Sequence, residues 1–292
     1  MLAMAQSRDS LVERVQSRIA LEPGARVGLA YIELASGDTL FINADSSFHA
    51  ASTMKVPVMI ELFHGASTGS FRMDQRLMLV NQFASIVDGS RYALDLKSDS
   101  DTTLYLRIGD RVPIDTLLRL MIIRSSNLAT NTLIALVGAD NVNRTMRSLG
   151  AHRMQVLRGV EDGKAFEKGL NNTTTARDLA MVLRAIETGR AAPANATRAM
   201  REILLAQEFN EKSPAGVPRG VPVAHKTGEI TAHSHDAAIV YPPGKRPYVL
   251  VVLTRGITDG TRSSKLIADL SALVYAHNTG GAHSVPSNLI DK

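Results

Sequence analysis

The apolar residues Leu11, Val12, Val15 and Ile19 recur at helical spacing, which predicts an opening amphipathic helix over 11–21. The pattern then tightens. RVGLAYIEL (26–34) and TLFINAD (39–45) read as strands, and the turn-rich link Ala35-Ser36-Gly37-Asp38 favours a hairpin between them. Two more strand runs, DAAIVY (236–241) and YVLVVLTR (248–255), come only near the other end, joined by Pro242-Pro243-Gly244-Lys245. SSKLIADLSALVYAH (263–277) predicts a last helix. Between these ends, roughly over 56–209, helical patterns and loops dominate. Strands from both ends with helices between them predict an α+β fold. Its antiparallel sheet is built from both termini with flanking helices, beside an all-helical subdomain. The expected division is 1–50 and 216–292 for the sheet-bearing part and 51–215 for the helical part. Residues 85–105 are polar, turn-rich and without a period, and read as a long surface loop of a length that often carries function.

Composition narrows the function classes. The 292 residues suffice for a substantial core and include no cysteine, so neither a disulfide framework nor a thiolate metal site is available. The formal net charge is +5, yet the basic residues are scattered and aromatics are few, so no nucleic-acid surface is predicted. No run approaches the roughly 18–20 apolar residues of a membrane span. Ala3-Met4-Ala5 has the small-x-small form of a signal-peptidase site without the basic and apolar regions that precede one. It reads either as a truncated export signal or as small residues at a frayed terminus.

The candidate chemistry begins in HAASTMKVPVMIEL (49–62), where Ser52 and Lys55 stand three apart at the mouth of an apolar segment. If a helix starts near Ser52, the two share a face, and the serine sits where free backbone N–H groups favour negative charge. A lysine whose pKa is lowered by burial or nearby cations can take the serine's proton. Ser-x-x-Lys alone is expected by chance roughly once in a chain of this length. Two further clusters add weight: MIIRSSNLATN places Ser125, Ser126 and Asn127 at the end of an apolar helical run, and VAHKTGEITAH places Lys226-Thr227-Gly228 in a strand-like segment. A glycine there lets a ligand backbone approach the strand edge closely. His225, His233 and His235 lie nearby, but strand alternation points His225 away from the face of the other two, so no zinc site is predicted. Neither a metal nor an organic cofactor is implied.

In this order and at wide separation, Ser52-x-x-Lys55, Ser125-x-Asn127 and Lys226-Thr227-Gly228 resemble the motif set of class A serine β-lactamases and their penicillin-binding relatives. The flanks FHAASTMKVP and LNNTTTARDLAMVL also resemble that family, and the likeness covers nearly the whole chain. It implies that Ser52 is the acylated nucleophile with Lys55 as its partner. Ser125 relays a proton to the leaving nitrogen, Asn127 holds the substrate's side-chain amide and Lys55, and Lys226 and Thr227 meet the substrate carboxylate. The Ser52 and Glu229 N–H groups form the oxyanion hole, and Gly228 and Asn171 belong to the substrate-binding set. A carboxylate arginine, Arg255 or Arg246, is also implied. The deacylating glutamate of the Ω-loop has two candidates: counting from Arg158 favours Glu161, whereas the Glu-x-x-Leu-Asn spacing fits Glu167.

Ser126 stands where class A members carry aspartate, which resembles the penicillin-binding proteins. The expected activity is therefore opening of β-lactams through an acyl-serine that is then hydrolysed. The alternatives are a D-alanyl-D-alanine peptidase that deacylates slowly and a sensor that keeps its acyl group. The implied partner is a small-molecule β-lactam acted on by a monomer outside the cytoplasm, periplasmic or secreted.

Overall fold

The computed structural model describes the backbone of residues 2–280 and the side chains of residues 9–280. The helices are α1 (Leu2–Ala20), α2 (Lys55–Ser67), α3 (Ile114–Ile123), α4 (Asn127–Val137), α5 (Ala139–Ser148), α6 (Gly163–Glu167), α7 (Ala176–Glu187), α8 (Ala194–Leu205) and α9 (Gly260–Thr279). The main sheet has strands β1 (Arg26–Glu33), β2 (Thr39–Ile42), β3 (Val223–Ile230), β4 (His233–Val240) and β5 (Tyr248–Arg255) in the order β2-β1-β5-β4-β3. Every pairing is antiparallel, and β1 meets β5 in a register from Arg26↔Arg255 to Glu33↔Tyr248. The two ends of the chain thus lie side by side in the middle of one sheet, as the pattern predicted.

Strand alternation divides the core. In β1, Leu29 and Tyr31 face α1 and α9, whereas Ala30 and Ile32 face the helical half; in β5, Leu250 and Val252 take the first side and Val249, Val251 and Leu253 the second. Both faces are covered, so these strands read as nearly continuous apolar runs rather than as an alternation. α2 is buried on all sides, from Val56 through Leu62. That is why its sequence is apolar all round rather than striped.

The structure adds detail to the expectation in three places. The opening helix starts at Leu2, ahead of the apolar stripe, so it contains Ala3-Met4-Ala5, whose side chains lie outside the described residues. The Lys226 segment is a full eight-residue edge strand, longer than the motif alone suggests. The stretch 85–105 is a surface loop as expected, with more internal order than its lack of a period suggests. Phe83–Ala84 pairs with Arg91–Tyr92, 3-10 turns follow at Leu96–Ser98 and Thr103–Arg107, and Ser85, Asp99 and Asp101 are buried. Its polar side chains hydrogen-bond inward, a pattern that hydrophobic periodicity cannot register.

Candidate active site

A 3-10 turn, Ala51–Met54, leads into α2, so Ser52 and Lys55 stand on one continuous helical path. Beside this turn runs β3, the edge strand. A Cβ built on Gly228 would lie 3.0 Å from both the Ser52 and Thr53 nitrogens. The glycine thus admits the backbone of the Ser52 turn, where the sequence reading assigned it to a ligand's. It brings the Ser52 and Glu229 segments side by side.

Lys55 is fully buried. Its Nζ donates to Ser125 O at 2.6 Å, Ser125 Oγ at 3.0 Å and Asn127 Oδ1 at 3.0 Å. Burial pulls its pKa down to about 7 against the opposing pull of Asp99 and Glu161. Lys226, equally buried, donates to Ser125 Oγ at 3.1 Å and to Thr227 O at 2.9 Å. Burial and the neighbouring cations Lys55 and Lys212 push it well below the ordinary lysine value. The Ser-x-Asn cluster does break the helix: α3 ends at Ile123, Ser125 adopts φ +58°, and Ser126 caps α4 by accepting from Ala129 N. With serine at 126, a carboxylate still reaches this helix start, from Asp99. Asp99 accepts from the Asn127 and Leu128 N–H groups at 2.9–3.0 Å, a placement that the helix dipole favours.

Of the two loop glutamates, the structure brings Glu161 to the site and leaves Glu167 out. Glu161 Oε1 accepts from Asn127 Nδ2 at 2.8 Å and Oε2 from Asp95 N at 3.0 Å. Glu167 ends α6, exposed, and does not line the cleft that Glu161 lines. That cleft, of about 760 Å³, runs from Ser52 and Asn127 past Glu161, Phe166 and Asn171 to Glu229 and Arg255. Asn171 Oδ1 accepts from Arg158 Nη2 at 3.0 Å, and Asn172 closes the loop by bonding both ends of the Leu157–Arg158 segment. Arg255 lies over the Phe48 ring, its guanidinium 5.6 Å from the centroid. It sits two strands over and four residues along from Lys226, about 16 Å between Cα atoms at ordinary sheet spacings. Arg246 is exposed at the far end of β5, near Glu33. Of the two arginines, Arg255 lines the far end of the cleft and Arg246 does not line it.

Sequence reasoning missed several residues. Asn131, one turn beyond Asn127 on α4, accepts from Val160 N at 2.6 Å and donates to Val160 O at 3.0 Å, pinning the residue next to Glu161. Gly159 allows this, since a Cβ there would overlap the Asn131 carboxamide. The signal was present as Asn127-x-x-x-Asn131 in an otherwise apolar helix. Lys212, fully buried, pairs with Glu229 at 2.6 Å and left no motif. The histidines have partners of their own, on the faces that alternation assigned: His225 Nδ1 lies 3.0 Å from Asp236, and His235 Nε2 donates to His49 O at 2.8 Å. No three metal-ligating side chains gather among the described residues. Of five non-glycine residues there with positive φ, three are Ala51, Ser125 and Glu161, all at this site. Strain of this kind persists where surrounding contacts over-determine it, commonly at functional sites.

A family model described as "Beta-lactamase enzyme family" matches residues 10–278. Beta-lactamase AST-1 of Nocardia asteroides is 28% identical over 256 residues, covering 86% of this chain and 78% of that one. Among solved structures, PBP-A superposes with a TM-score of 0.79 at 28% identity, covering 91% of this chain and 94% of that one. A beta-lactamase from Sphaerobacter thermophilus does so with 0.79 at 27%, covering 91% and 97%.

Proposed function

The chain belongs to the beta-lactamase enzyme family, and from that premise we propose that it hydrolyses β-lactams through an acyl-enzyme on Ser52. The observation that carries the reading is the hydroxyl of Ser125, bonded by both Lys55 and Lys226 beside the Ser52 turn, with Glu161 one hydrogen bond away on Asn127. Neutral Lys55 takes the Ser52 proton as Oγ attacks the lactam carbonyl. The developing oxyanion is met by the Ser52 and Glu229 N–H groups, donors whose loss commonly costs 10²–10³-fold. As the C–N bond breaks, Ser125 gives a proton to the ring nitrogen and is reprotonated from the lysine side. Asn127 holds the acyl side-chain amide, Lys226 and Thr227 hold the substrate carboxylate, and Asn171 forms the cleft wall along the loop. Glu161 then deprotonates a water that attacks the acyl carbon, the ester C–O bond breaks, and Ser52 recovers its proton.

A carboxylate bonded next to the Lys55 network supports turnover over the slow-deacylating peptidase, which would share every first-step residue. The substrate is a small molecule reached by diffusion, and we take the working unit as a monomer exported to the periplasm or medium. Among the described residues no helix is long and apolar enough to cross a membrane. Nitrocefin turnover combined with intact-mass and peptide analysis after penicillin treatment tests the reading. Catalytic turnover with the acyl adduct on Ser52 is expected. Acylation elsewhere, or none in folded protein, would overturn it.

A further inference from the structure

The nucleophile's approach turn contains a residue in an unfavourable conformation with a visible restraint. Ala51, immediately before Ser52, has φ +45°, a region that non-glycine residues rarely adopt. Its N–H donates to Nδ1 of His49 at 3.0 Å. His49 is itself anchored, because its carbonyl accepts from His235 Nε2 and its ring packs edge-on at 6.3 Å from His233. The next residue, Ala50, is tied by its N–H to Asn172 O at 2.8 Å, and its carbonyl takes the Thr53 N–H and hydroxyl. The N–H groups on either side of Ser52 are thus committed to local acceptors.

We propose that His49 is a positioning residue for the nucleophile: its Nδ1 holds the Ala51 N–H, fixes the left-handed turn, and so aims the Ser52 hydroxyl and N–H into the cleft. An imidazole accepts at Nδ1 only as the neutral tautomer protonated on Nε2. Burial, His233 and Arg158 push the His49 pKa down to about 4, which keeps that acceptor available at neutral pH. The proposal rests on Ser52 being the acylated residue. It adds a role that a histidine preceding the Ser-x-x-Lys motif does not announce by spacing.

The side chain of asparagine carries its oxygen at the same branch as histidine Nδ1 and readily accepts an N–H two residues on. Penicillin acylation rates of four variants therefore separate positioning from packing. His49→Ala and His49→Gln are expected to acylate roughly tenfold or more slowly, and His49→Asn to stay within a few-fold of the unmutated protein. Ala51→Gly, which adopts positive φ without help, is expected to restore acylation when added to His49→Ala. Equal rates in all His49 variants, or an asparagine variant no faster than alanine, would overturn the proposal, as would failure of the glycine rescue in protein that melts cooperatively. Imidazole ¹⁵N NMR of the resting protein gives a reading independent of substrate: the Nε2–H tautomer is expected for His49, and Nδ1–H would sink the idea. Absence of any Ser52 adduct on the unmutated protein would instead mark failure of the hydrolase reading itself.

Discussion

Lys55 and Lys226 donate to the same hydroxyl, Ser125 Oγ, at 3.0 and 3.1 Å, and both lysines are fully buried. Two ammonium groups on one oxygen in a low-dielectric setting disfavour each other's protons, and burial disfavours both. Burial lowers both, bringing Lys55 to about 7, and the charges of Lys55 and Lys212 lower Lys226 further. The arrangement makes Ser125 a junction, and it turns the site into a set of measurable expectations.

Acylation should titrate with Lys55. In the proposed mechanism the neutral amine is the base, so the acylation rate should fall as pH drops below about 7, with a slope of one proton. Stability carries the same signature. The unfolded lysine keeps its proton to about 10.5 while the folded one releases it near 7, so between those values the unfolded state binds more protons and stability rises with pH. Single-turnover kinetics and denaturant midpoints from pH 6 to 10 check both, and Lys55→Met should abolish the kinetic limb.

Glu161→Gln should acylate at the normal rate and then stall, losing about 10²- to 10⁴-fold in release of the acyl group. Glu167→Gln should behave as the unmutated protein. Burst kinetics with nitrocefin read both, and a stall in the Glu167 variant would move the base to the other glutamate.

Gly228→Ala should impair the first step. Its methyl would press on the Ser52 and Thr53 nitrogens at 3.0 Å, so the turn and strand must separate. Overpacking of this kind costs about 1–3 kcal/mol, and the separation draws the Ser52 and Glu229 N–H groups, the proposed oxyanion donors, apart. The expected outcome is a lowered melting temperature with a fall in the acylation rate, against an unchanged ratio of acylation to deacylation if the strand edge matters only for folding.

Asn131→Ala should act on the second step without touching substrate. It leaves the Val160 N–H and C=O without their partner, at a cost of about 1–3 kcal/mol, and frees the segment bearing Glu161. Deacylation should slow more than acylation, which separate single-turnover measurements of the two steps would reveal.

Local pattern was enough to predict the sheet from both termini, the apolar segment behind Ser52 and the three motifs, because each is a matter of spacing along a few neighbouring residues. The loop glutamate was not decided that way: counting from Arg158 and counting back from Asn171 gave different answers, and only the Asn127–Glu161 bond separates them. Within the surface loop at 85–105, the burial of Asp99 and Ser85 was not legible, because both are polar in sequence yet bonded to partners 28 and 77 residues away. Lys212 and Asn131 belong to the same class, since each is held by a contact with a distant segment. The sequence by itself determined which residues could carry acyl transfer, because that depends on side-chain type and short spacing. Only the tertiary structure decided which glutamate, which capping carboxylate and which positive-φ turn lie against them, because burial and hydrogen bonding between distant segments set which groups meet.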